Sequence, residues 1–115
     1  MSPKSERPSH YVSLYMQKNG YQIIPVNPGH NEIVGLKSFP SLTDIPYRVD
    51  IVNVFRRSEY VMRIAEDAVK IGAKALWLQD GVISDDASQL AENAGLMVVM
   101  NDCLLRQHLR YFDHT

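Results

Sequence analysis

Apolar positions in this chain recur with two periods, one suited to strands and one to helices, in alternation. Ser9 reads as the cap of a first helix, with Val12, Tyr15 and Met16 at helical spacing and Gly20 in the left-handed position after the last turn. Tyr21 to Val26 reads as a strand that Asn27-Pro28-Gly29 ends. Residues 30 to 48 read as irregular, with one short helical turn over Ser41 to Pro46. Ile51, Val52 and Val54 follow as a run without alternation, the pattern of a parallel strand covered on both faces. Ser58 stands where it would cap the next helix, with Glu59 at the positive end of the helix dipole. That helix runs to about Ile71. Val61, Ile64, Ala65, Ala68 and Val69 form its apolar stripe, while Arg63, Glu66, Asp67 and Lys70 point outward.

Gly72 stops this helix, and Ala75 to Leu78 forms a short strand ended by Gln79-Asp80-Gly81. Ser84 caps a further helix with Asp85 and Asp86 in its first turn and Ala87, Leu90, Ala91 and Ala94 as its buried stripe. Met97 to Met100 is the last strand, and a final helix runs from about Cys103 to Tyr111. Strands alternating with helices imply βαβ units: an α/β chain with an open parallel sheet and helices on both faces. Right-handed crossovers then bring the strand-to-helix loops to one edge, where ligands bind in such sheets. Those loops hold Asn27-Pro28, Phe55-Arg56-Arg57, Gln79-Asp80-Gly81 and Asn101-Asp102-Cys103. Two arginines at that edge point to an anionic ligand, with a phosphate as the first expectation.

Composition narrows the picture. At 115 residues the chain suits one domain with one core. A net charge of -1 gives no support for nucleic-acid binding, which shows a basic face. One cysteine excludes an internal disulfide framework and suits a reducing compartment. No apolar run approaches the roughly 20 residues that span a bilayer, and the polar, proline-containing start carries no secretory signal, so cytoplasm is the default and no membrane is expected. His10, His30, His108 and His114 lack metal-ligand spacing with any cysteine or carboxylate cluster, so no metal is expected. Trp77 reads as core packing, Asp80 as shaping a turn, and Asp85 and Asp86 as helix-start charges. No nucleophile–base–orienter set is visible.

Several fragments, in order, carry a resemblance. They are Ser2-Pro-Lys-Ser-Glu-Arg-Pro-Ser9, Val26-Asn-Pro28, Pro40-Ser-Leu-Thr-Asp-Ile-Pro46, Val49-Asp-Ile-Val-Asn-Val-Phe-Arg-Arg-Ser-Glu59, Ile71-Gly-Ala-Lys74, Trp77-Leu-Gln-Asp-Gly81, and Cys103 with His108. Together they resemble the small stand-alone coenzyme A-binding proteins, whose domain is similar to the nucleotide-binding domain of the succinyl-CoA synthetase α subunit. The resemblance implies a Rossmann-like domain that binds coenzyme A or an acyl-CoA at the carboxyl edge of the sheet. It implies that Ser2, Lys4, Arg7 and Ser9 hold phosphates. Asn27, Pro28, Phe55, Arg56 and Arg57 would line the adenosine and pyrophosphate region. Gln79 and Gly81 would approach the pantetheine, and Cys103 completes the ligand-binding positions.

Two departures from that family stand out. Its domains open with a β-strand and a glycine turn ahead of the Ser-Pro-Lys loop, whereas here Met1 stands where that strand would just have ended. In the doubly wound order that first strand is central. Strands lie about 4.8 Å apart, so its absence leaves roughly a 10 Å opening between its neighbours. A start codon assigned too far downstream, or a shortened chain, is the expectation. The second departure is Gln107-His108, where the family has Glu-His. The functional expectation is a non-catalytic coenzyme A-binding module, alone, as a homodimer or beside a larger enzyme. The alternatives are an accessory subunit of an acyl-CoA synthetase or transferase, and a module for a dinucleotide such as NAD.

Overall fold

The structure is a computed structural model that describes residues 1–113. Its sheet has three parallel strands, β3 (Ile51–Val54), β4 (Ala75–Leu78) and β5 (Met97–Val99), in that spatial order. Ile51 pairs with Ala75 and Val54 with Leu78, and Ala75 pairs in turn with Met97. The central strand β4 is apolar throughout, with Leu76 and Leu78 fully buried; β3, expected to be covered on both faces, buries Val52 and Val54 but leaves Ile51 exposed, because it is an edge strand.

Two helix pairs flank the sheet: α1 (Pro8–Lys18) packs against α4 (Leu104–Asp113), and α2 (Val61–Lys70) against α3 (Asp85–Asn93). The stripes expected for α2 and α3 supply Val61, Ala65, Ala68, Ala87 and Ala91, all fully buried against Val52, Val54, Leu76 and Leu78. Small residues at these positions let the two helices lie close to the strands and to each other.

Four local expectations are corrected. Ser9 does not cap α1. The helix begins at Pro8, whose fixed φ suits the first turn, after Arg7 as the capping residue. The Ser9 hydroxyl instead accepts the Ser2 N–H at 2.9 Å. Nor does Ser58 cap α2. It opens a single 3-10 turn (Ser58–Tyr60), and its hydroxyl accepts the Ile83 N–H at 3.0 Å. Ser84 does cap α3, accepting from Ala87 N–H at 3.3 Å.

The third correction concerns residues 30 to 48, which contain a two-stranded antiparallel hairpin, β1 (Glu32–Ile33) and β2 (Leu36–Lys37). Val34 and Gly35 turn it with φ of 53° and 73°, the positive-φ pair that two-residue hairpins need. A β-branched residue at such a position gave no turn signal. The short turn within 41–46 is present as Leu42–Asp44.

The fourth concerns Tyr21–Val26, which is extended but joins no sheet. Only Val26 makes a single parallel bridge, to Phe39. The reason is lateral. Residues 21 to 28 and 48 to 56 line the two sides of one open cavity of about 630 Å³. Successive side chains of an extended chain point to opposite faces. A cavity lined by every residue of β3 therefore runs along its free edge, and the opposite edge is paired with β4. The backbone of 21–24 thus faces a slot rather than a neighbouring strand.

Candidate functional site

A second cavity, of about 520 Å³, lies at the carboxyl ends of β3 and β4. Phe55 follows β3, Gln79 and Asp80 follow β4, and Cys103 closes the loop after β5. Facing them is the N-terminal loop, with Ser2, Lys4 and Arg7, and the start of α1, with Pro8 and Ser9. Parallel strands end together on one rim, and the loop from Met1 folds back over that rim.

The loop is held by its own hydrogen bonds. Ser2 N–H donates to Ser9 Oγ at 2.9 Å and Lys4 N–H to Ser2 Oγ at 3.2 Å. Arg7 N–H donates to the Lys4 carbonyl at 3.0 Å. The buried His10 ring reaches the Ser2 carbonyl from Nδ1 at 2.8 Å. Asn27 Nδ2 donates to the Met1 carbonyl at 3.1 Å, while its Oδ1 accepts the Gly29 N–H at 2.9 Å. Asn27-Pro28-Gly29 therefore serves as turn and anchor together. The Met1 ammonium donates to the Val26 carbonyl at 3.4 Å. Burial, aided by the Arg56 charge, lowers its pKa below the usual 8.0.

Opposite the loop, Gln79 is buried and donates to Asn53 Oδ1 at 2.5 Å. Asp80 receives both guanidinium nitrogens of Arg106, at 2.9 and 3.0 Å. That pairing holds its carboxyl below the usual range. Arg106 also reaches Asp102 at 2.7 Å, and Gln107 donates to the same carboxylate. Burial would raise the Asp102 pKa, but these bonds and the Cys103 N–H outweigh it and lower it. The Arg106 pKa is raised by its two carboxylates. This network ties the first turn of α4 to the end of β4.

Of the residues expected at the site, Ser2, Lys4, Arg7, Ser9, Asn27, Phe55, Gln79 and Cys103 line this cavity. Pro28 and Arg56 line the slot beside β3 instead. Arg56 lays its guanidinium over the Tyr60 ring, 4.7 Å from its centre. Arg57 and Gly81 line neither cavity. The Arg57 side chain is 85% exposed beside Glu59, and the Gly81 N–H is already given to Asn101 Oδ1 at 2.8 Å. Trp77 is half-buried, its indole N–H donating to the Asp102 carbonyl at 2.8 Å.

Sequence reasoning passed over Tyr11, Val12, His30 and Val82, which also line the cavity. It weighs His10 only against a metal role, and His108 only against that role and as part of the family resemblance, so neither is given a place at the site. His108 Nδ1 lies 2.8 Å from the Tyr15 hydroxyl, joining α4 to α1. Nothing local marks these residues, because their partners stand on other elements. His114 lies outside the described residues. No group of three metal-ligating side chains occurs among the described residues, and no helix there is long and apolar enough to cross a membrane.

Three parallel strands flanked by helices, with a cavity where the strands end, define an α/β domain of the Rossmann-like type. The chain belongs to the CoA binding domain family, whose pattern it matches over residues 1–108. It is 42% identical over 108 residues to the uncharacterized protein YneT of Bacillus subtilis, covering 94% of this chain and 80% of that one. A hypothetical protein from Pyrococcus horikoshii superposes with a TM-score of 0.94 at 40% identity, over 96% of this chain and 78% of that one. An ADP-forming acetate–CoA ligase of Archaeoglobus fulgidus is 27% identical over 88 residues. The match covers 75% of this chain but 13% of the ligase. The domain is thus related to the CoA-binding part of acyl-CoA synthetases.

Proposed function

We propose that the chain binds coenzyme A, or an acyl-CoA, in the 520 Å³ cavity and does so without transforming it. The observation that carries this is the meeting of Lys4, Arg7 and the start of α1 with the ends of β3 and β4. Lys4 and Arg7 form no ion pair among the described residues, so both charges are available to an anion. The start of α1 adds the positive end of its dipole, although Pro8 has no N–H and those of His10 and Tyr11 go to the Arg7 carbonyl. The negative charge of Asp80 is neutralised by Arg106. Phe55, Val12 and Val82 offer apolar surface, and Gln79 an amide, to the remainder of the ligand.

Ser2, Lys4, Arg7 and Ser9 form the phosphate end in this reading. Gln79 and Cys103 border the pantetheine arm, and Asn27 and Phe55 lie between. Calorimetric titration with coenzyme A, dephospho-coenzyme A and NAD tests it. Saturable binding of coenzyme A, weaker binding of the dephospho form and no competition by NAD are expected. Absence of saturable coenzyme A binding by the folded chain rejects it.

A second reading is favoured by the match to a small part of an acetate–CoA ligase. The chain would then lend its ligand site to a larger catalytic partner. A large subunit that co-purifies stoichiometrically would support that reading over the first.

A further inference from the structure

His10 sits on the first turn of α1, is only 8% exposed, and takes no part in lining the cavity. Its Nδ1 lies 2.8 Å from the carbonyl oxygen of Ser2. A carbonyl oxygen only accepts, so Nδ1 carries the proton and the ring donates. Ser2 is thereby gripped at both backbone groups: its N–H by Ser9 Oγ and its carbonyl by His10. The Ser2 hydroxyl in turn holds the Lys4 N–H, and the Lys4 carbonyl holds the Arg7 N–H. The chain of bonds starts inside the protein at His10 and ends at the two cations facing the cavity.

We propose that His10 is a positioning residue of the anion-binding loop. From within the core it fixes Ser2, and through Ser2 it sets where Lys4 and Arg7 meet a phosphorylated ligand. This deepens, and rests on, the coenzyme A reading. Loops placed by a rigid scaffold lose affinity when the scaffold contact goes, because binding must then order them. Two other features support the role. Residues 2–7 contain no regular element of their own. The contacts that order them come from α1 and, through Met1, from Asn27.

Three variants separate positioning from simple filling of space. His10→Asn puts an amide N–H where Nδ1 stands. His10→Gln puts it one bond further out, where Nε2 stands. His10→Leu keeps apolar volume and removes the donor. The first readout needs no ligand: amide hydrogen exchange at Ser2 and Lys4 in the free protein. Exchange about tenfold faster in His10→Leu and His10→Gln, and near the parent rate in His10→Asn, is expected from the loss of one hydrogen bond. The second readout is affinity. Coenzyme A binding weaker by about fivefold in His10→Leu, restored in His10→Asn, is expected from the same loss, with pantetheine binding unchanged.

Equal exchange in all three variants overturns the proposal, as does loss of pantetheine and coenzyme A binding in parallel. A His10→Asn variant no better than His10→Leu does the same. If the parent chain binds no coenzyme A but the exchange pattern holds, the ligand reading fails while the loop assignment stands.

Discussion

Replacing Lys4 and Arg7 together by alanine isolates the electrostatic half of the proposed site. Both side chains are exposed and make no ion pair among the described residues, so their removal leaves the packing unchanged. The loop bonds of Lys4 and Arg7 use backbone N–H and carbonyl groups, which alanine keeps. Hydrogen bonds to charged groups contribute about 1.5–3 kcal/mol when shielded, and exposed ion pairs at most about 1. At this solvent-facing rim the lower figure applies, about 1 kcal/mol for each cation. Together that is about 2 kcal/mol, or roughly thirtyfold in dissociation constant. Titration calorimetry with coenzyme A at low salt measures it, with circular dichroism as the control for folding. Screening shortens from about 10 Å at 0.1 M salt to about 3 Å at 1 M, so the gap between parent and variant narrows as salt is added. A folded double variant within twofold of the parent affinity would refute the phosphate role of the loop.

Other consequences concern the frame around the site. Leu78→Ala empties a fully buried core position at the end of β4 and costs about 2–5 kcal/mol in urea unfolding; a cost under about 1 kcal/mol contradicts the packing described. Ser58→Ala leaves the Ile83 N–H without its acceptor and lowers stability by about 1 kcal/mol, seen as a melting temperature several degrees lower. An unchanged melting temperature would show that water replaces the hydroxyl. Asp80 and Asp102 have folded pKa values below the usual 3.8. Their contribution is complete above that value and is lost as pH falls below it, when the unfolded carboxylates take up protons first. Protection of α4 amides against hydrogen exchange, relative to their intrinsic rates, therefore falls in that acid window, and Arg106→Ala removes the effect. The Met1 ammonium acts in the same direction in a higher window: its lowered pKa makes the fold more stable as pH rises towards 8.0.

Much of the candidate site was legible because its residues cluster at strand ends, and strand ends carry local signals. Asn27, Phe55, Gln79 and Cys103 each follow an apolar run, and topology alone sends such positions to one rim. The paired arginines were the strongest such signal, yet they part company: Arg56 lies over Tyr60 and Arg57 points to solvent. Adjacent residues entering a helical turn leave the backbone in different directions, so shared sequence position did not become shared direction. The cations that do meet the rim, Lys4 and Arg7, come from a loop with no periodicity. They were reachable only through the family resemblance.

The order of amino acids by itself determined β3, β4 and β5, the stripe of α2, that of α3 apart from Ala94, which is exposed at the helix end, and the cap at Ser84. Those features rest on interactions within a few residues or on a repeat that any core would select. Tertiary structure alone decided where the polar side chains go. Ser9 turns from a cap to a clamp on Ser2, Ser58 serves Ile83 rather than its own helix, and His10 holds a loop eight residues behind it. It also decided that Tyr21–Val26 joins no sheet and lines an open slot, with only the Val26–Phe39 bridge, although its apolar pattern suits a strand. A hydroxyl or an extended backbone has many acceptable partners, and which one it meets depends on what the rest of the chain brings within about 3 Å.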